Sequence, residues 1–115
     1  MNQYTGTIIE ESLEDNRILN DFEIISVRIT RDESPVDRWH LYKVKSTKEN
    51  LLKFSNNLKQ GTWYAHFWDE DKNIIAIFRD NVFEFNYDDK SSWVSAVEYG
   101  KSLGIPNEQL DFIVE

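Results

Sequence analysis

Residues 62–87, TWYAHFWDEDKNIIAIFRDNVFEFNY, decide the fold. Three apolar runs, 62–68, 73–79 and 82–87, are separated by DEDK and DN. Each run is six or seven residues long and rich in aromatic and β-branched side chains, the composition of a strand. Asp and Asn tolerate the left-handed backbone of tight turns, so the two links read as hairpin turns. The stretch is therefore an antiparallel three-stranded meander.

Upstream, TGTIIEE (5–11) reads as a strand, and LEDNRILNDF (13–22) as a short helix with Ile18, Leu19 and Phe22 on one side. EIISVRIT (23–30) alternates, with Ile25, Val27 and Ile29 facing one way and Ser26, Arg28 and Thr30 the other. A polar loop, 31–37, leads to a further strand, RWHLYKVK (38–45). Ser46 followed by Glu49 is the spacing of a capping box and predicts a helix start. Leu51, Phe54, Ser55 and Leu58 form its inward stripe with Leu52 beside it, and Gly61 suits a left-handed C-terminal position.

Downstream, Asp88 or Asp89 caps a second helix whose inward face is Trp93, Ala96, Val97 and Gly100. LGIP (103–106) ends it: Gly104 supplies the left-handed residue, Ile105 the hydrophobic contact, and Pro106 the stop. PNEQLDF adds one more turn. Three strands, a helix, three strands and a helix make an α+β domain over residues 1–115. The expected sheet is mainly antiparallel, five- or six-stranded, in the chain order β-β-β-α-β-β-β-α, with both helices on one face.

GTWYAHFWDEDKNIIAIFRD (61–80) and EYGKSLGIPNEQLDF (98–112) together resemble a family of small uncharacterised bacterial and archaeal proteins. That resemblance covers most of the chain. It implies no activity, and so assigns no residue a role.

Composition bounds the function classes. The net charge of −8 argues against duplex DNA, whose phosphates require a surplus of Lys and Arg. The charge is uneven: residues 40–60 hold five lysines and one acid, a local +4. Such a run is usually a solvated face, and the sharper alternative is a phosphate-binding strip. There is no cysteine, which removes disulfides, thiolate chemistry and cysteine-ligated metals. The N-terminus lacks the pattern of a signal peptide, and the longest uninterrupted apolar run, 74–78, is too short to span a bilayer. A soluble, cytoplasmic protein that is a monomer or weak dimer, with no membrane partner, is expected.

Chemical motifs are sparse. Asp69, Asp71 and Asn73 have the 1, 3, 5 spacing of a calcium loop, yet Ile74 and Asp80 stand where that loop needs Gly and a bidentate Glu. The loop therefore reads as a solvated hairpin tip. His40 and His66 lie on different strands without HxH or HExxH spacing, so no metal and no cofactor are expected. No glycine-rich phosphate loop and no GxSxG nucleophile elbow occurs. Carboxylate pairs such as Glu10/Glu11, Asp32/Glu33 and Asp88/Asp89 fall in polar or turn contexts.

Along the first strand of the meander, Trp63, Ala65 and Phe67 face one way and suit a core under the helices. Tyr64, His66 and Trp68 face the other, and each carries an N–H or O–H that needs a partner when buried. Arg28, Lys43, Glu84 and Asn86 are expected around that second trio. Three readings of this helix-free face follow. Segment 13–22 packs on it and closes a second small core; or it binds a protein partner or small ligand; or it stacks single-stranded nucleic acid on Tyr64 and Trp68. The leading expectation is a non-catalytic binding or interaction module using Tyr64, His66, Trp68, Arg28, Lys43 and Glu84. The alternative is a small enzyme with His66, or else His40, as general base, Tyr64 positioning substrate and Arg28 holding an anion.

Overall fold

The computed structural model describes residues 3–112. Six strands form a single antiparallel sheet: β1 (Gln3–Ile9), β2 (Glu23–Ile29), β3 (His40–Thr47), β4 (Tyr64–Trp68), β5 (Asn73–Phe78) and β6 (Asn81–Asn86). Their spatial order is β2-β3-β1-β4-β5-β6. The meander read from the sequence is present as β4-β5-β6, in register from Tyr64↔Phe78 to Trp68↔Ile74 and from Asn73↔Asn86 to Phe78↔Asn81. Two helices, α1 (Lys48–Leu52) and α2 (Val94–Ser102), complete the α+β domain, with short 3-10 turns between elements.

The helices lie on opposite faces of the sheet, which corrects the expectation that they share one. β5 is buried along Ile74–Phe78, and its alternate residues feed two different cores. Ile75 and Ile77 join Phe67, Ala65, Ile8 and Val44 under Leu51, Phe54 and Leu58. Ile74, Ala76 and Phe78 join Phe85 beneath Trp93, Ala96, Leu110 and Phe112. A near-continuous apolar run, NIIAIFR, is what a strand covered on both faces needs, and a one-sided sheet would have alternated.

Segment 13–22 belongs to the first core and does not cover the Tyr64 face. It folds as a 3-10 turn, Asn16–Asp21, capped by the Asp15 side chain, which accepts from the Arg17 N–H. Leu13, Leu19 and Phe22 are buried there, with Phe22 edge-on to Phe54 at 6.5 Å.

The cap of α1 is Thr47, whose Oγ1 accepts from the Asn50 N–H at 3.4 Å; Ser46 is a buried strand residue instead. The helix is one short piece, and the stripe Leu51, Phe54, Ser55 and Leu58 is buried although only its first residue lies within α1. Leu52, expected beside the stripe, is exposed, and Gly61 takes positive φ in a loop beyond the helix. The α2 terminus follows its sequence closely. Gly104 has φ 93°, its N–H bonds Lys101 O, and the Ile105 N–H reaches back to Gly100 O at 3.1 Å. Buried Ile105 makes the accompanying apolar contact.

The hairpin tip at 69–72 is built around Asp69, which is buried rather than solvated. Its carboxylate accepts from the Asp71 N–H, the Asn73 N–H and Asn73 Nδ2, at 2.9–3.0 Å. Lys72 takes the left-handed conformation at φ 65°. The side chain that resembled a cation ligand thus satisfies the amides of its own turn.

Candidate functional site

Tyr64, His66 and Trp68 alternate onto the second face, the one beneath α2. There Thr5 pairs with both Trp68 and Lys45, and Thr7 with Lys43, so Lys43 and Lys45 share that face with the trio. Ser26 is opposite Lys43 and Arg28 opposite Leu41, which brings Arg28 to the same side at the far edge. Glu84 does not join them. It pairs with Ile75 on the first face and forms an ion pair with Lys48, Nζ to Oε1 2.7 Å. Asn86 pairs with Asn73, again on the first face. The misplacement comes from β6: Phe83 and Phe85, not Glu84 and Asn86, stand beside the trio.

The trio is only partly available. Phe112 stands edge-on to Tyr64 at 5.8 Å and to His66 at 5.6 Å. Tyr64 also stacks on Phe78 at 5.3 Å, and its hydroxyl donates to the Gln109 carbonyl. Burial, helped by the nearby Asp111 carboxylate, pushes the Tyr64 hydroxyl up to about 12. Tyr64 is thereby a partner of residues 107–112, and no longer a side chain held out to a substrate. His66 and Trp68 are half-buried, with ring centroids 5.6 Å apart. This face is covered by the segment after α2, where Asn107–Gln109 forms the one extra turn expected from the sequence and Leu110 and Phe112 are buried against the sheet.

His40 lies elsewhere, at the end of the sheet where β1 gives way to residues 10–12. Its backbone N–H and Nδ1 both meet the Glu11 carboxylate at 2.7 Å, while Tyr42 donates its hydroxyl to Glu10 Oε1 at 2.7 Å. The bond to Glu11 raises the His40 pKa above its ordinary value, against a smaller opposing effect of desolvation. Burial works to raise Glu11, but the His40 side chain and N–H outweigh it and hold that carboxyl below its ordinary range. Glu10, Glu11 and His40 each bring one potential ligand atom within 4.8 Å of the others. Glu11 Oε2 and His40 Nδ1 are already hydrogen-bonded to each other, and the two Glu10 oxygens accept from Tyr42 and Asn16. The pairing of Glu11 with His40, 29 positions away, has no signal in sequence spacing.

The least expected surface is β2. Among the described residues it pairs with β3 alone and forms one edge of the sheet. All seven of its residues are exposed, including Ile24 (43%), Ile25 (48%), Val27 (52%) and Ile29 (51%). The alternation read from the sequence is broken by a bulge at Ile25. As a result Ile24, Val27 and Ile29 lie opposite Val44, Tyr42 and His40 on one face, and Glu23, Ser26 and Arg28 opposite Lys45, Lys43 and Leu41 on the other. The apolar stripe expected in the core is instead a half-open flank.

Comparison with protein-family models, curated proteins and solved structures finds no match for this chain. Among the described residues no helix is long and apolar enough to cross a membrane.

Proposed function

We propose that this protein is a non-catalytic interaction module that takes up an extended segment of a protein partner along the free edge of β2. One observation carries the reading: a seven-residue edge strand with four aliphatic side chains roughly half exposed. Sheet edges expose unpaired N–H and C=O groups, which other chains guard with charged side chains (Lys above all), with Pro, with bulges or with cover from another element. β2 contains neither Lys nor Pro, and its two charges, Glu23 and Arg28, and its bulge at Ile25 leave all seven residues exposed. Strand addition supplies affinity through the main chain and selectivity through alternate side chains. The reading keeps the binding role expected from the sequence and moves it from the aromatic trio to the sheet edge. The engagement of Tyr64 with Gln109 and Phe112 weighs against the trio as the contact surface, and equally against Tyr64 as a substrate-positioning group for His66.

The test is to pan a displayed library of random peptides on the protein, with Val27→Lys as the counter-screen. Enriched peptides should alternate apolar and polar residues and lose about tenfold or more in affinity for the variant. Peptides that bind wild type and Val27→Lys alike, or that depend on His66 instead, would remove β2 as the contact.

A further inference from the structure

The outer edge of β2 is complementary to itself. We infer that its partner is a second copy of this chain, joined β2 to β2 antiparallel about a two-fold axis through the Ile25–Ser26 bulge; this rests on β2 being the contact strand. Register makes the edge self-complementary. Placing Ile25 against the partner's Ser26 sets Glu23 against the partner's Arg28 and Ile24 against the partner's Val27. Each pair occurs twice by symmetry, as an isologous interface requires.

The bulge is what makes this register work. Glu23 and Arg28 are five positions apart, so in a regular strand they would point to opposite faces. The extra residue at Ile25 brings both to the face of Lys45 and Leu41, and brings Ile24 and Val27 to the face of Val44 and Tyr42. A two-fold axis perpendicular to the sheet keeps faces continuous across the joint. Opposite charges therefore meet on one face and aliphatic side chains on the other, the pairings that stabilise neighbouring strands. The two bulges meet at the axis, so the surplus residue in one strand is matched by that in the other. Shifting the register by one position sets Arg28 against the partner's Ile24 and loses both charge pairs. No side chain of Glu23 or Arg28 is buried, so both are available at the edge.

The experiment is sedimentation velocity across a wide concentration range, on wild type, Glu23→Arg, Arg28→Glu, an equimolar mixture of these two, and the double variant. The expected pattern is a concentration-dependent dimer for wild type, a shift to monomer for each single variant, and recovery of the dimer in the mixture and in the double variant. Circular dichroism confirms that each variant folds, and protection of β2 amides from hydrogen exchange should rise with wild-type concentration. A wild type that stays monomeric would overturn the inference, as would a dimer indifferent to both single variants. Peptide capture by a monomeric β2 would then leave the interaction module standing with a different partner. Loss of both peptide capture and the dimer would end both readings.

Discussion

The ring of Phe112 meets the His66 ring edge-on, with centroids 5.6 Å apart. Residues 46 positions apart are thus joined across the face of the sheet, and Phe112 is fully buried in doing so. Phe112 also touches Tyr64, Phe85 and Trp93. Its truncation to Ala should cost about 3–5 kcal/mol in urea unfolding. A cost under about 1 kcal/mol would show that the second core closes without it.

Phe54 does for the first face what Phe112 does for the second. It packs edge-on to Phe67 at 6.2 Å and to Phe22 at 6.5 Å, with no exposed surface. Phe54→Ala should likewise cost about 3–5 kcal/mol. Because the two rings occupy separate cores, the double variant with Phe112→Ala should be additive within about 0.5 kcal/mol. Phe54→Ala with Phe67→Ala should depart from additivity by about 0.5–3 kcal/mol, since those rings touch. Equal coupling in both pairs would contradict two cores separated by the sheet.

Gly6 sits on β1 directly opposite Phe67, where β1 and β4 pair. A Cβ there would collide with the His66 carbonyl oxygen and the Phe67 ring, and the carbonyl belongs to a backbone that cannot swing away. Gly6→Ala should therefore destabilise by about 1–3 kcal/mol, despite the better strand propensity of Ala. Thermal unfolding measures it; a neutral or stabilising result would mean that β4 lies further from β1.

The His40–Glu11 pair sets a pH dependence. His40 has a raised pKa, so its contribution is present below its ordinary value of 6.5 and fades as pH rises through the folded midpoint. Glu11 has a lowered pKa, so its contribution is present above 4.5 and fades as pH falls. The pair should stabilise most between those two values. An NMR titration should place the His40 midpoint above 6.5 and return it toward that value in Glu11→Gln. An unchanged midpoint in the variant would show that Glu11 is not its partner.

Much of the local structure was legible. The meander 62–87, the inward stripe 51–58 and the α2 terminus at Gly104–Ile105 each rest on interactions within a few residues of chain. There, turn chemistry and periodicity report the outcome directly. The cap of α1 lies one position after the expected Ser46, because Ser46 and Thr47 offer the same hydroxyl and only the tertiary structure buries Ser46 and starts the helix at Lys48. The surroundings of the candidate site were less legible. Arg28 and Lys43 were placed on the face of His66 by simple alternation, whereas Glu84 was assigned to the wrong side of β6.

What the sequence by itself determined is the inventory: six extended segments, two helical ones, and apolar runs long enough to bury a sheet on both sides. Which face each helix covers was decided only by tertiary structure. NIIAIFR is apolar on both sides, and hydrophobic pattern cannot choose between two equally apolar faces. The exposure of Ile24, Val27 and Ile29 was likewise invisible, because an aliphatic alternation reads the same in an edge strand as in a central one. The strand order β2-β3-β1-β4-β5-β6, which puts β2 at an edge, and the bulge at Ile25 decided that exposure through hydrogen bonds between residues far apart in the chain. Long-range pairing is chosen by the packing of the whole molecule, and no local stretch carries that information.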